Sequence, residues 1–217
     1  MFLIRPPGVY RPGGDTSLLL SSLAAEDLGR GRSVLDVGTG CGPLAVAAAC
    51  RGARVTAVDV SRRALLAAAF NAALHGRRIA VRRGDLLAPV ADRRFDVVVT
   101  NPPYVPAIAK RAPRLGARHT WDGGPDGRRL LDRLCAEAPA LLARGGVLLV
   151  VQSAFAGVEA TCAALRAAGL TTSVVARARQ PYGPVLRGQA TWLERRGMAR
   201  HGQREEEVVV IRGARTD

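Results

Sequence analysis

Phe95-Asp96-Val97-Val98-Val99-Thr100-Asn101-Pro102-Pro103-Tyr104 is a short apolar run that ends in a rigid polar tetrapeptide. The three consecutive valines predict a buried strand covered on both faces, and the two prolines, which have no N–H to donate, stop its ladder. In an open α/β sheet, ligands bind beyond the carboxyl ends of the strands, so Asn101 is expected to emerge where chemistry is done. Proline fixes φ, which points the Pro102 carbonyl in a set direction, and the Asn101 side chain adds a second carbonyl acceptor. Two acceptors side by side suit a planar NH2 group. Tyr104 can lie flat against such a group and align its nitrogen with an electrophile. Asn-Pro alone is also an ordinary turn signal, so the reading depends on the rest of the chain.

Upstream, the same strand-then-site pattern repeats. Residues 1–14, rich in Pro and Gly, predict an extended arm, after which Asp15 or Thr16 caps a helix carrying Leu18, Leu19, Leu20 and Leu23. Ser33 to Val37 reads as the first strand. It leads into Gly38-Thr39-Gly40-Cys41-Gly42-Pro43, where glycines let a ligand approach the backbone and the helix from Leu44 to Cys50 offers its amides. Asp36 at this strand end disfavours a pyrophosphate on the loop and favours an ammonium group. Arg54 to Asp59 is the second strand, and Asp59, 21 residues after Gly38, matches an acid gripping ribose hydroxyls; capping of the following helix is the other use of Asp59. Ser61 starts that helix, which runs to His75-Gly76. Ile79 to Arg83 is the third strand, closed by Gly84-Asp85-Leu86-Leu87, where Asp85 suits an adenine amine and Leu86 its ring. Residues 88–94 read as a short polar connection.

Downstream, residues 105–125 predict a long loop with His119 and Trp121, read as a lid or docking surface. A helix from Asp126 to Ala143 turns Leu130, Leu131, Leu134 and Leu141 inward. Arg144-Gly145-Gly146 ends it, and Val147 to Val151, a helix from Val158 to Ala168, and a strand from Thr171 to Ala176 follow. Residues 180–206 are a polar insertion with a short helical piece around Trp192, before a last strand, Glu207 to Ile211. Five βα-type units and a β-β ending predict a Rossmann-like, mostly parallel seven-stranded sheet flanked by helices, with the last strand antiparallel beside the fifth. Residues 1–217 are expected to form a single domain.

Composition excludes other classes. No apolar run reaches the length of a membrane span, and the N-terminus is too short for a signal sequence, so a cytoplasmic location is expected. Cys41, Cys50, Cys135 and Cys162 form no C-x-x-C pair and the three histidines are isolated, so no metal site is expected. The net charge of +14 attracts polyanions, but it is spread along the chain, and two Trp, three Tyr and four Phe are too few for a platform that stacks bases. Nucleic acid is therefore a secondary partner at most.

Taken together, Val9-Tyr10-Arg11-Pro12-Gly13-Gly14-Asp15-Thr16, Leu35 to Gly42, Val58-Asp59, Gly84-Asp85-Leu86, Asn101-Pro102-Pro103-Tyr104 and Gly123-Gly124-Pro125-Asp126-Gly127 carry a resemblance. The chain resembles the class I S-adenosylmethionine-dependent methyltransferases and, within them, the HemK-like protein-glutamine methyltransferases in their short form without an N-terminal helical domain. The likeness spans residues 9 to about 176 and resumes at the last strand. It implies that Thr16, Asp36, Gly38, Gly40, Asp59, Asp85, Leu86 and Asn101 contact or border S-adenosylmethionine, which leaves as S-adenosylhomocysteine. It also implies that Asn101, Pro102, Pro103 and Tyr104 hold an acceptor glutamine, that of a peptide-chain release factor, and that a small zinc-binding activator subunit assists. Three features depart from the family: the length of the 180–206 insertion, Gly14 where an acid is common, and Cys41 in place of a small polar residue. An adenine-N6 methyltransferase, a tailoring enzyme for a metabolite or peptide, and a non-catalytic cofactor-binding subunit remain alternatives.

Overall fold

The computed structural model describes residues 1–108 and 120–216. Seven strands, β1 (Ser33–Val37), β2 (Arg54–Asp59), β3 (Ala80–Arg83), β4 (Phe95–Thr100), β5 (Leu142–Ser153), β6 (Thr171–Pro181) and β7 (Glu205–Ala214), form one sheet in the order β3-β2-β1-β4-β5-β7-β6. The first five run parallel, and β7 is antiparallel to both β5 and β6. Among the described residues six α-helices flank them: α1 (Gly14–Ala24), α2 (Pro43–Cys50), α3 (Arg62–Leu74), α4 (Arg129–Glu137), α5 (Val158–Ala167) and α6 (Pro184–Arg195). The expected fold class, with its antiparallel last strand beside the fifth, is the one observed.

Strand order reverses at β1. From there the chain steps outward through β2 and β3, then returns to place β4 on the other side. Right-handed crossovers put the helices of the two halves on opposite faces, and the loops after β1 and β4 diverge to leave a crevice. Val97, Val98 and Val99 of β4 and Val34 and Leu35 of β1 are buried at this centre. Each such side chain contributes roughly 1.5–3 kcal/mol relative to exposure, which holds the two site-bearing loops over a rigid floor.

Several expected boundaries move, each for a physical reason. Neither Asp15 nor Thr16 caps α1; the helix is preceded by Gly13, which makes no side-chain cap, and both residues are buried in the first turn. The helix expected over 126–143 is shorter. It stops at Glu137 and continues as a 3-10 turn, Ala138–Leu141, because Pro139 has no N–H for the α ladder. Leu131, Leu134 and Leu141 are buried, whereas Leu130 is half-buried. Strand β5 starts early, at Leu142, and the pairing jumps from Phe95↔Leu142 to Val97↔Val147, so Arg144-Gly145-Gly146 lies in a bulge. Strand β6 continues to Pro181, five residues past its expected end, with every second residue exposed as befits a sheet edge. Within 88–94, Ala88–Val90 forms a 3-10 turn with Val90 buried.

The arm lies along the sheet's helical layer. Asn71 on α3 accepts from the Ile4 amide at 2.8 Å and donates to the carbonyls of Ile4 and Cys41 at 2.9 and 2.8 Å. Cys41 itself packs into a small apolar cluster with Val9, Ala64 and Ala67. No helix among the described residues is long and apolar enough to cross a membrane, and none of them form a group of three metal-ligating side chains.

Candidate active site

Asp15 is the hub around which the acceptor side is built. It is buried, and its Oδ2 accepts three hydrogen bonds, from the Tyr10 hydroxyl at 2.7 Å, the Tyr104 hydroxyl at 2.9 Å and Asn101 Nδ2 at 3.1 Å. Its Oδ1 accepts from the Thr16 amide at 2.6 Å. Thr16 Oγ1 accepts from the same Asn101 nitrogen at 3.2 Å. Two acceptors therefore hold Asn101 Nδ2, and the reverse orientation would press its carbonyl against a carboxylate. The Asn101 carbonyl oxygen is left to face away from the hub. Burial, and then the Asp15 charge, raises the pKa of both Tyr10 and Tyr104, so both hydroxyls stay protonated and donate.

A small cavity of about 40 Å³ lies at this corner, bordered by Tyr10, Asp15, Asn101, Pro102, Tyr104 and Trp121. The Gly-Gly-Pro-Asp-Gly segment fixes its rear wall. Gly123 N–H donates to the Val105 carbonyl at 2.9 Å, and the Ala107 N–H donates to the Gly124 carbonyl at 2.8 Å. A Cβ on Gly123 would meet the Tyr104 backbone at 2.8 Å, and one on Gly127, at φ +78°, would meet the Tyr104 carbonyl at 2.3 Å. Gly127→Ala combines a left-handed backbone with that clash, and is expected to cost on the order of 3 kcal/mol, roughly 10 °C in a thermal melt. An unchanged melting temperature would contradict the close approach. Of the loop expected over 105–125, residues 109–119, with His119, lie outside the described residues; Val105, Thr120 and Trp121 border the cavity.

The glycine loop stands on the other side of the crevice. Asp36 is fully buried. Its Oδ2 accepts from Thr39 Oγ1 at 2.6 Å and from the Ala45 amide in the first turn of α2 at 3.0 Å, while its Oδ1 is buried without a partner. Gly38 and Gly40 have φ of +70° and +55°, and a Cβ on Gly42 would sit 2.8 Å from Ala68, so the third glycine brings α2 and α3 together. Asp59 at the tip of β2 accepts from the Gly40 amide at 3.0 Å and the Ser61 amide at 2.8 Å, and burial raises its pKa. The cap considered for Asp59 is made instead by Ser61, whose side chain accepts from the Ala64 amide, while Asp59 holds the amides of Gly40 and Ser61. Asp85 is exposed and paired with Arg133 of α4 at 2.9 Å, a partner that spacing did not indicate. Leu86 has φ +46°, the only non-glycine positive φ among the described residues, a strained placement of the kind that gathers at ligand sites.

Burial pushes the Asp36 carboxyl up to about 7, against the pull of the Thr39 and Ala45 hydrogen bonds. The folded chain therefore keeps this proton where the unfolded chain has lost it, and stability falls as pH rises from about 4 to about 7. Asn at 36 retains an acceptor for Ala45 and cannot ionise. The melting temperature of Asp36→Asn should accordingly gain on that of the wild type as pH rises through this window; parallel curves would sink the assignment.

The sequence places Asn101, Thr16, Asp36 and Asp59 at strand or helix ends, as observed, but offers Asp15 only as a helix cap and Tyr10 only as part of the arm. Their signal was the run Tyr10-Arg11-Pro12-Gly13-Gly14-Asp15-Thr16, which puts a phenol and a carboxylate on either side of a turn. Gly14 also has a local cause: a Cβ there would lie 2.6 Å from Gln180 Oε1.

The sequence model of the Methyltransferase small domain family matches residues 3–115. A Methanocaldococcus jannaschii protein whose name assigns it N5-glutamine methyltransfer is 35% identical over 181 residues, 83% of this chain and 90% of that one. The release factor glutamine methyltransferase of Geobacter sulfurreducens is 36% identical over 151 residues, 66% of this chain, and the match spans 53% of that relative, about half its length. Among solved structures, the E. cuniculi Mtq2-Trm112 complex, described as methylating the termination factor eRF1, superposes with a TM-score of 0.68 at 25% identity, covering 96% of this chain and 99% of its counterpart. The chain belongs to the Methyltransferase small domain family and, within it, to the protein N5-glutamine methyltransferases.

Proposed function

We propose that the chain transfers the methyl group of S-adenosylmethionine to the side-chain amide nitrogen of a protein glutamine, with a peptide-chain release factor as substrate. The observation that carries this reading is the anchoring of Asn101 Nδ2 between Asp15 and Thr16, which leaves the Asn101 carbonyl oxygen free to accept at a cavity that Pro102 also lines. An amide nitrogen is a poor nucleophile because its lone pair is delocalised. Two fixed acceptors that bind its two N–H groups draw electron density onto nitrogen and set its direction of approach. Positioning of this kind supplies roughly several kcal/mol. The Tyr104 ring, tethered at its hydroxyl, walls the acceptor. The methylated nitrogen then loses one of its two protons to solvent, and no side-chain base is required.

The crevice fits the cofactor. The unpartnered Asp36 oxygen suits an ammonium group, the Asp59 carboxylate suits ribose hydroxyls, and Asp85 with Leu86 suits an adenine once Asp85 leaves Arg133. When bound there, S-adenosylmethionine supplies an electrophilic methyl group on a sulfonium sulfur. Incubating the purified chain with radiolabelled S-adenosylmethionine and a cell extract tests the reading. Label should run with the release factor and survive nuclease. Label lost to nuclease would turn the assignment to adenine.

A small zinc-binding activator is part of this proposal. It is supported by the Mtq2-Trm112 likeness and by an apolar strip that this chain leaves uncovered: Leu66, Phe70 and Leu74, four residues apart on α3, with Met1, Phe2 and Ile4 of the arm, which Asn71 ties to the same helix. A strip of this kind marks a protein contact. Phe70→Glu should abolish co-purification with such a subunit; undiminished co-purification would remove the strip from the contact.

A further inference from the structure

The segment between β6 and β7 contributes no lining residue to the acceptor cavity, yet it builds a second concavity on the same sheet edge. Tyr182 and α6, through Leu186 and Leu193, bury a satellite apolar cluster joined by Val105, Phe155 and Met198. The rings of Phe155 and Tyr182 meet edge to face with centroids 6.0 Å apart. Gln180 Nε2 donates to the buried Glu206 at 3.1 Å and the Tyr182 amide donates to the Arg204 carbonyl at 2.8 Å, which pins the base of the segment. Beside this cluster lies an open groove of about 430 Å³, with Phe155, Met198 and Ala199 as its apolar lining and Arg200 and Gln203 as its polar one.

The groove and the acceptor corner are joined through one packed cluster. Val105 borders the small cavity and packs in the same cluster as Phe155, which lines the groove. Thr100 pairs with Val150 on β5, and Ser153 lies three residues further along, about 10 Å, with Phe155 just beyond. A group small enough for the 40 Å³ cavity does not reach that far, whereas three or four residues of extended chain, at about 3.3–3.6 Å each, do. Arg200 in the lining is exposed and, among the described residues, has no carboxylate within ion-pair distance, while Glu194 is shared by Arg204 and His201. An apolar lining beside an uncompensated guanidinium suits a peptide segment that offers an apolar and an acidic side chain.

We propose that this groove docks the protein substrate, receiving the segment next to the acceptor glutamine, with an apolar side chain against Phe155 and Met198 and an acidic one against Arg200. The assignment rests on the protein-glutamine reading above and makes the 180–206 insertion the element that selects the substrate.

Steady-state methylation of the recombinant release factor from the same genome, compared for the wild type, Met198→Glu, Arg200→Glu and the distant surface control Arg144→Glu, tests it. Both groove variants should raise KM for the release factor at least ~10-fold while kcat stays within about twofold. The dissociation constant of S-adenosylmethionine, read by calorimetry as a check on folding, should not move, and Arg144→Glu, with the same change in net charge as Arg200→Glu, should behave as wild type. If the release factor is methylated and the groove variants keep the wild-type KM, the groove assignment fails and the substrate reading stands. If the wild type neither binds nor methylates the release factor but labels RNA from the same source, the substrate reading fails and the peptide occupant with it.

Discussion

Asn101→Ala should lower kcat on the order of 10²–10³-fold while S-adenosylmethionine binds almost as it does to the wild type. The side chain makes no backbone ladder bond, and its Nδ2 donates to Asp15 and Thr16, away from the glycine loop, so its removal leaves Asp36 and Asp59 in place. On the proposed mechanism, what is lost is one of two acceptors for the substrate N–H groups. The remaining Pro102 carbonyl binds one proton of the amide but no longer fixes its rotation. Single-turnover rates with preloaded cofactor isolate this step from product release. A variant with kcat near that of the wild type would remove Asn101 from the chemistry.

Asp15→Asn should be nearly as damaging, although Asp15 is a positioning residue. Three donors converge on one carboxylate oxygen, and the amide and hydroxyl of Thr16 on the other. A neutral amide offers only one oxygen, so either the Thr16 amide or the cluster of Tyr10, Tyr104 and Asn101 must face an NH2 group. The cheapest rearrangement rotates Asn101 so that its carbonyl accepts from the new amide. That turns an NH2 toward the substrate's own N–H groups. A loss in kcat of about 10²-fold is expected, together with on the order of 1–3 kcal/mol of stability for the buried hydroxyl that loses its acceptor. If the two residues act as one unit, the double variant Asp15→Asn, Asn101→Ala should be no slower than Asn101→Ala alone. Additive losses would mean that Asp15 acts on the reaction by another route.

The central strands were legible in the sequence because their boundaries are abrupt. Serine, aspartate or asparagine brackets the apolar runs of β1 and β4, and each side chain within them is buried. The outer strands were harder to delimit. Strands β6 and β7 pair through Arg177, Arg179, Glu205 and Glu207, whose side chains give no apolar signal, because at the sheet's rim the backbone ladder continues after burial has ended. Helix α4 was overrun because Leu130, Leu131, Leu134 and Leu141 keep a helical period past Pro139, where the missing N–H decides the local conformation instead.

At the site, what a strand end presents could be read from position alone, and so Asn101, Asp36 and Asp59 were found. Asp15 could not be assigned, since two of its partners lie 86 and 89 positions away and only the fold joins them. Its sequence context signalled a helix cap, a bond that the structure does not make. The ion pair of Asp85 with Arg133 was hidden for the same reason.

The most direct test is the chemical form of the transferred methyl. After reaction of the release factor with trideuteromethyl-labelled S-adenosylmethionine, tandem mass spectrometry should place one labelled methyl on a glutamine residue, and acid hydrolysis of that peptide should release labelled methylamine and glutamate. Methanol released by mild alkali, which marks a methyl on carboxylate oxygen, or label found only in nucleic acid would show that no amide nitrogen docks between Asn101 and Pro102.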